Sequence, residues 1–221
     1  MTFVRVKNVD DCVDLLASTI NQALKNNNKV VWLIPGGSNI PLSIAALKLL
    51  DQQLTNRLFV TLTDERFGNY GHSDSNWQQL EDGGFNFKNL STLAFLDKEN
   101  NTLSHQEKQL NVDLAEFTKD AYLIGQFGIG TDGHTAGIKP NSPATLTEQL
   151  VCGYKAKDFI RLTTTFSLIK KIDEAHVFAL GSSKVAIMQK LKHKDIPLPE
   201  MPAQIFKQVK KSIIYNEEEI L

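Results

Sequence analysis

An acidic and an imidazole side chain lie two residues apart in a glycine-rich turn of this chain. Asp132 and His134 follow the apolar run 122–129, within the segment Phe-Gly-Ile-Gly-Thr-Asp-Gly-His-Thr-Ala-Gly (127–137). Glycine allows backbone angles and close ligand approach that other residues forbid, and imidazole titrates near neutral pH. The pair therefore indicates general acid–base chemistry. A polar turn after a buried strand, with an exposed histidine, is the alternative that this segment alone leaves open.

The glycines of 128–133 also match the G-x-G-x-x-G pattern of dinucleotide-binding proteins. In that pattern the last glycine opens a helix whose N-terminus faces a pyrophosphate. Here Gly137 and Pro140 follow too closely for such a helix, and Asp132 would place a negative charge beside the pyrophosphate. We therefore expect no nicotinamide cofactor.

Three other apolar runs also end in polar turns. These turns are Pro-Gly-Gly-Ser-Asn (35–39), Thr-Asp-Glu-Arg (63–66) and Gly-Ser-Ser-Lys (181–184). In open parallel sheets, ligands bind in the crevice outside the carboxyl ends of the strands. We therefore expect the four turns to converge on one site.

The residue types in these turns suit a phosphorylated ligand. Gly36, Gly37 and Ser38 open a predicted helix, where free N–H groups and the helix dipole favour a phosphate. Lys184, one turn into its own helix, could reach the same phosphate as a point charge. Arg66 offers a planar fork for a carboxylate, a phosphate or a developing oxyanion. A helix cap, a solvated lysine and a salt-bridged strand end remain the structural alternatives.

Strands and helices alternate along the chain. Near-continuous apolar runs, as in strands covered on both faces, predict strands at Lys29–Ile34, Leu58–Leu62, Ala121–Ile129 and Ala175–Leu180, a short last strand at Ser212–Tyr215 and an edge strand at Phe159–Thr163. Helices are predicted after a cap at Asp10 or Asp11, at Pro41–Leu50, at Trp77–Leu80 after Asp74-Ser75-Asn76, after Ser104 with its capping-box partner Glu107, and at Ser182 to about Leu191. The alternation predicts an α/β fold with a three-layer, mainly parallel, Rossmann-like sheet and helices on both faces, in a single domain over residues 1–221.

Bulk properties limit the class of protein. The 221 residues carry a formal net charge of −1 without a basic stripe, which argues against a nucleic-acid partner. No apolar run approaches the roughly 18 residues of a membrane span, and the N-terminus lacks the apolar core of a secretory signal. Cys12 and Cys152 have no metal-like spacing and are typical of reduced thiols. We expect a cytoplasmic protein, monomeric or a small homo-oligomer, with no membrane partner and no metal site.

Taken together, the motifs resemble those of the 6-phosphogluconolactonases, within the broader group that includes the glucosamine-6-phosphate deaminases. The matching segments, in the family's order and over most of the chain, are PGGS (35–38), TDER (63–66), DSN (74–76), GIGTDGHTAG (128–137), RLT (161–163) and ALGSSKVAI (179–187). Deaminase relatives typically carry a tyrosine where this chain has Arg66 and a glutamate where it has Lys139. The chain also departs from the lactonase pattern at two places: at Phe67-Gly68 after DER, and at Gly137 to Pro140 after GHTA.

The resemblance implies hydrolysis of a small-molecule partner, 6-phospho-D-glucono-1,5-lactone, to 6-phosphogluconate. His134 would act as general base on water, with Asp132 or Asp64 orienting the imidazole or a sugar hydroxyl. Arg66 and backbone N–H groups of the Gly133 turn would stabilise the oxyanion. The resemblance also implies ligand-binding roles for the residues Gly36, Gly37, Ser38, Asn76, Arg161 and Lys184. No metal or other cofactor is expected, because the lactone is already an activated ester.

Two other functions remain open at this point. An isomerase or deaminase of the glucosamine-6-phosphate type would use Asp64 or Asp132 as a carboxylate base on an open-chain sugar. The missing glutamate at Lys139 counts against it. The other alternative is a non-catalytic sugar-phosphate-binding protein, which the departures after DER and GHTA would allow.

Overall fold

Continuously apolar segments form the buried core of the molecule. The structure is a computed structural model that describes residues 1–99 and 102–220. All five residues of the strand Val30–Ile34 are buried, as expected for a parallel strand covered on both faces. The first helix buries a single face, including Cys12, Leu16 and Ile20, at the spacing of an amphipathic helix. None of the described helices is long and apolar enough to span a membrane.

The elements alternate as the sequence predicts. The strands are β1 (Thr2–Arg5), β2 (Val30–Ile34), β3 (Leu58–Leu62), β4 (Asp64–Arg66), β5 (Ser91–Leu93), β6 (Tyr122–Gly128), β7 (Val151–Lys155), β8 (Ile160–Thr164), β9 (Glu174–Phe178) and β10 (Lys211–Asn216). The α-helices are α1 (Val9–Asn26), α2 (Ile40–Lys48), α3 (Asn76–Asp82), α4 (Leu103–Thr118), α5 (Phe166–Ile169) and α6 (Val185–His193). Single 3₁₀ turns, Gly37–Asn39 and Ser182–Lys184, lead into α2 and α6.

Seven strands form one parallel sheet in the order β1-β10-β9-β6-β2-β3-β5. The predicted α/β class with a mainly parallel sheet is confirmed. From β2 the chain continues to β3 and β5 on one side, and then places β6 on the other side of β2. The order therefore reverses between β2 and β6, which is where such sheets bind ligands. The four strands that end in the polar turns, β9, β6, β2 and β3, are neighbours around this point.

A second sheet, which the sequence analysis did not anticipate, carries part of the predicted site. Strands β4, β8 and β7 form an antiparallel sheet with β8 in the middle. The predicted edge strand at Phe159–Thr163 is therefore wrong in its position, because it pairs on both sides within this smaller sheet. Asp64 to Arg66, predicted as a turn, is strand β4 and pairs with β8. Strands β1, β5 and β7 were also not predicted.

Two predicted helix caps are displaced by a few residues. Asn8, rather than Asp10 or Asp11, caps α1, since its side chain accepts a hydrogen bond from the Asp11 N–H. Thr102, rather than Ser104, caps α4 by accepting from the His105 N–H. In each case the capping side chain lies just before the first helical turn, where the free N–H groups are.

The buried carboxylate of Glu65 joins β4 to the N-terminus of α3. Its Oε1 accepts from the N–H groups of Arg66 and Asn76, both at 2.6 Å. Its Oε2 accepts from the Ser75 hydroxyl at 2.8 Å and from the Trp77 N–H at 3.0 Å. Burial raises the pKa of Glu65, and the four hydrogen bonds partly oppose that shift. The carboxylate thus satisfies the first N–H groups of α3 and ties this helix to the strand that carries Asp64 and Arg66.

Glu65→Gln tests this connection. A glutamine turns an NH₂ group toward two of the four donors, so at least one buried donor loses its acceptor. We expect the free energy of unfolding, measured by urea titration, to fall by about 2–4 kcal/mol. Glu81→Gln, at an exposed position of α3, is the matched control and should change it by less than about 0.5 kcal/mol. Equal stability of the two variants would show that Glu65 does not hold α3 in place.

Candidate active site

The glycine turn after β2 forms one wall of a cavity at the carboxyl ends of the strands. Gly37 has a positive φ of 63°, which few residues other than glycine adopt at low cost. A Cβ atom on Gly36 would lie 1.8 Å from the Asn76 side chain, so this position has room only for glycine. The first N–H groups of a helix have no acceptor within it. The turn that leads into α2 therefore offers backbone donors to an anion.

Asn76 is held between this turn and β4. Its Nδ2 donates to the backbone oxygen of Asp64 at 2.8 Å, while its buried Oδ1 has no hydrogen-bond partner among the described residues. An amide oxygen without a donor inside the protein is costly unless a ligand or water supplies one. Asn76 therefore joins β4 to the cavity wall, with this oxygen buried rather than open to the cavity.

The loop after β6 brings Asp132 and His134 together. The His134 Nδ1 lies 2.5 Å from Asp132 Oδ1, and the same oxygen accepts from the His134 N–H at 3.1 Å. A Cβ atom on Gly130 would lie 2.0 Å from His134 Nδ1, so glycine is needed for the ring to fold back over the loop. Asp132, and not Asp64, is thus the carboxylate that orients the imidazole, a choice that the sequence left open.

The environment of His134 favours a neutral ring. Burial lowers the pKa of His134 below its ordinary value; the charge of Lys139 acts in the same direction, and Asp132 opposes both. Burial alone would raise the pKa of Asp132, but hydrogen bonds and charge from His134, together with the charge of Lys139, lower it overall. Because an ionised carboxylate only accepts hydrogen bonds, the proton of the neutral ring belongs on Nδ1. The Nε2 atom is then left as the basic nitrogen.

Two arginines lie next to each other on neighbouring strands of the second sheet. Arg66 of β4 pairs with Arg161 of β8, and both guanidinium groups lie over the Phe159 ring, at 5.1 and 5.6 Å from its centroid. Arg161 is held by Asp158 at 2.7 Å and by Asp64 at 3.4 Å. Arg66 donates to the Asp74 backbone oxygen at 2.8 Å.

In both arginines the Nε atom is buried without a partner among the described residues. Each side chain is therefore anchored by its terminal nitrogens and keeps one donor unused. The two guanidinium groups supply positive charge to the adjoining cavity, which suits an anionic ligand.

These groups line one cavity of about 210 Å³. Of the predicted site residues, the lining includes Gly36, Gly37, Ser38, Asp64, Arg66, Asn76, His134, Arg161 and Lys184. Arg66, Arg161 and Lys184 give it three positive charges against the one carboxylate of Asp64. The structure therefore brings together residues from all four polar turns, and the cavity suits a small anionic ligand.

Two predicted residues lie outside the lining. Asp132 contacts His134 Nδ1 but does not line the cavity. Gly133 has a φ of 85°, and its N–H donates to the Gly130 oxygen at 2.9 Å. That N–H is committed to the turn, so the structure does not place it as a donor for an oxyanion.

Sequence reasoning missed several residues that shape the site. Lys139 lies 3.3 Å from His134 Nδ1 through its Nζ atom, and Asn39 joins the cavity lining. Asp158 anchors Arg161, and Glu65 holds β4 to α3. Lys139 and Glu65 lie within or beside the recognised motifs, so their position was the available signal. Asp158 lies in a short turn without any such signal.

The described residues contain no group of three or more His, Cys, Asp or Glu side chains arranged to hold a metal ion. The candidate ligand-binding groups are instead hydrogen-bond donors and cations.

Comparison with known proteins places these features in a family. Residues 5–215 match the family of glucosamine-6-phosphate isomerases/6-phosphogluconolactonase. A Drosophila melanogaster protein named "Probable 6-phosphogluconolactonase" is 26% identical over 187 residues, which cover 80% of this chain and 74% of the relative. The 6-phosphogluconolactonase of Helicobacter pylori is 24% identical over 199 residues, 86% of each chain.

The fold agrees with this match. The crystal structure of a 6-phosphogluconolactonase from Shewanella baltica superposes with a TM-score of 0.84 at 18% identity, covering 98% of this chain and 97% of that one. Because the family match spans nearly the whole sequence, including each of the four polar turns, the chain belongs to the family of glucosamine-6-phosphate isomerases and 6-phosphogluconolactonases.

Proposed function

We propose that this protein hydrolyses 6-phospho-D-glucono-1,5-lactone to 6-phosphogluconate. The observation that carries the proposal is the His134 ring, bound to Asp132 through Nδ1, in a cavity that also holds three cations. The relatives described above are named 6-phosphogluconolactonases, which supports the same reaction here. Lys139 stands where deaminase relatives carry a glutamate, and this disfavours the deaminase branch.

The reaction begins with a water molecule next to the lactone carbonyl, C1. The basic Nε2 of His134 takes a proton from this water as the oxygen attacks C1, and Asp132 stabilises the imidazolium through Nδ1–H. A tetrahedral oxyanion forms. The C1–ring-oxygen bond then breaks, and His134 returns the proton to the departing ring oxygen. The imidazole of His134 is then neutral again, and the product is the open-chain acid.

The positive charges of the cavity would interact with two parts of the substrate, the oxyanion formed at C1 and the phosphate. Arg66, which lines the cavity, is the proposed stabiliser of the oxyanion, and one such donor commonly lowers the barrier by about 3 kcal/mol. The N–H groups of Gly37 and Ser38 together with Lys184 are the proposed phosphate site, and Arg161 adds to it. In this proposal no metal or cofactor takes part, because the lactone is an activated ester.

Removing the base should abolish most of the catalysis. We expect His134→Ala to lower kcat for the lactone by about 10²-fold or more, because the imidazole that takes the proton is removed. The measurement uses lactone generated in situ, with spontaneous ring opening subtracted. His105→Ala, at an exposed position of α4, is the control and should keep full activity. Near-normal turnover by His134→Ala would remove this residue from the mechanism.

The phosphate assignment predicts a different kinetic effect. Lys184→Ala should mainly raise KM, by roughly tenfold, since a contact to the non-reacting phosphate is present equally in the ground and transition states. Lys190→Ala, at an exposed position of the helix α6 that follows the turn carrying Lys184, should leave KM unchanged. A lower kcat with an unchanged KM in Lys184→Ala would mean that Lys184 acts on the reacting centre instead.

The pH profile follows from the state of His134. The neutral ring is the active form, so kcat/KM should fall as the pH drops through the pKa of His134. Because burial lowers this pKa, the midpoint of the acid limb should lie below about 6.5, the ordinary histidine value. A midpoint clearly above 6.5 would contradict this assignment.

A further inference from the structure

The cation beside the His134–Asp132 pair has no role in the mechanism above. The Lys139 Nζ lies 3.3 Å from His134 Nδ1 and 3.9 Å from Asp132 Oδ2. Its side chain is 28% exposed, and that of His134 is 30% exposed, so solvent screens their interaction only in part. At this distance the positive charge of the ammonium disfavours protonation of the imidazole.

Hydrogen-bond chemistry defines what Lys139 can do. An ammonium group only donates, and a carboxylate only accepts. The 2.5 Å contact with Asp132 requires a proton on His134 Nδ1, so that nitrogen cannot also accept from Lys139. The ammonium therefore acts on the ring through its charge, and it lies 3.9 Å from the second oxygen of Asp132, beyond hydrogen-bond distance.

We propose that Lys139 is a positioning residue, which keeps His134 in the neutral form protonated on Nδ1, with Nε2 free to accept a proton. A nearby positive charge makes the imidazolium less favourable, and it makes the Asp132 carboxylate more favourable. The carboxylate in turn fixes the tautomer. This role rests on the proposed function of His134 as a base, and it extends that function toward lower pH.

Other charges reach His134 from the elements packed against its loop. Asp64 and Arg66 come from β4, Arg161 from β8, and Lys184 from the turn before α6, and all four line the same cavity. Asp64 pairs with Arg161, which moderates the effect of both. Lys139 differs from these groups because its nitrogen lies within contact distance of the ring.

The position of Lys139 also makes the inference testable without disturbing the substrate cavity. Lys139 is absent from that lining and instead faces a neighbouring cavity of about 540 Å³, shared with Asp132, Tyr154 and Lys155. A residue of similar length without a charge can replace it there. Lys155 lines the same neighbouring cavity. Within the described residues it forms neither a hydrogen bond nor an ion pair with His134 or Asp132, so it provides a matched control.

The test is an NMR titration of His134 in the whole protein, with its resonance identified by the loss of that signal in His134→Gln. In Lys139→Met we expect the proton affinity of the ring to rise roughly three- to tenfold, moving the titration midpoint upward by about 0.5–1 pH unit. Lys139→Gln should behave like Lys139→Met, and both Lys139→Arg and Lys155→Met should stay near the wild-type midpoint. An unchanged midpoint in Lys139→Met and Lys139→Gln would overturn the proposal.

Two further readouts complete the test. Long-range ¹H–¹⁵N correlations should place the proton of the neutral ring on Nδ1 in the wild type; a proton on Nε2 would overturn the proposal. The acid limb of kcat/KM should move upward in Lys139→Met by the same amount as the NMR midpoint.

The titration needs no substrate, so the two ideas can fail separately. A shifted midpoint without any lactone hydrolysis would refute the proposed function and leave the electrostatic role of Lys139 intact. Lactone hydrolysis with an unshifted midpoint would refute only the role of Lys139.

Discussion

The cavity depends on one buried carboxylate. Glu65 sits between β4 and α3 and accepts four hydrogen bonds, two of them from the first N–H groups of the helix. Its neighbours in sequence, Asp64 and Arg66, both reach the cavity, and Asn76 reaches it from the helix that Glu65 holds. Burying this carboxylate is costly, and only a full set of donors offsets that cost. Those same donors set the distance between strand and helix, and thereby place the cavity wall.

The second sheet connects this arrangement to the loop that carries Asp132 and His134. Gly137 donates to the Thr163 hydroxyl of β8 at 2.9 Å, and its oxygen accepts from the Tyr154 hydroxyl of β7 at 2.6 Å. The loop that presents His134 is therefore fastened to the same small sheet that carries Arg66 and Arg161. Relative motion of the proposed base and the proposed anion-binding groups is limited because they share this support, which is the kind of preorganisation that catalysis requires.

The charged groups around the cavity have two different roles in the proposed function. The two arginines and Lys184 place positive charge along the cavity, which the proposed function assigns to anion binding. His134 can accept a proton only when its imidazole is neutral. Burial lowers its pKa and so favours this neutral form. Asp132 supplies the opposing charge only at Nδ1, so the ring is oriented while Nε2 stays basic.

The sequence by itself determined the α/β class and nine of the residues that line the cavity. Buried runs such as Val30–Ile34 and the glycine turns that follow them are local signals, and parallel strands bring their carboxyl ends to one edge. Tertiary structure alone decided that Asp132 rather than Asp64 orients His134, that β4, β8 and β7 form a separate sheet, and that Lys139 reaches the imidazole. Strand pairing depends on residues distant in sequence: Asp64 meets Arg161 across almost 100 positions, and no local pattern records that contact. Asp132 and Lys139 are close to His134 in sequence, but whether their side chains reach its ring depends on how the loop folds.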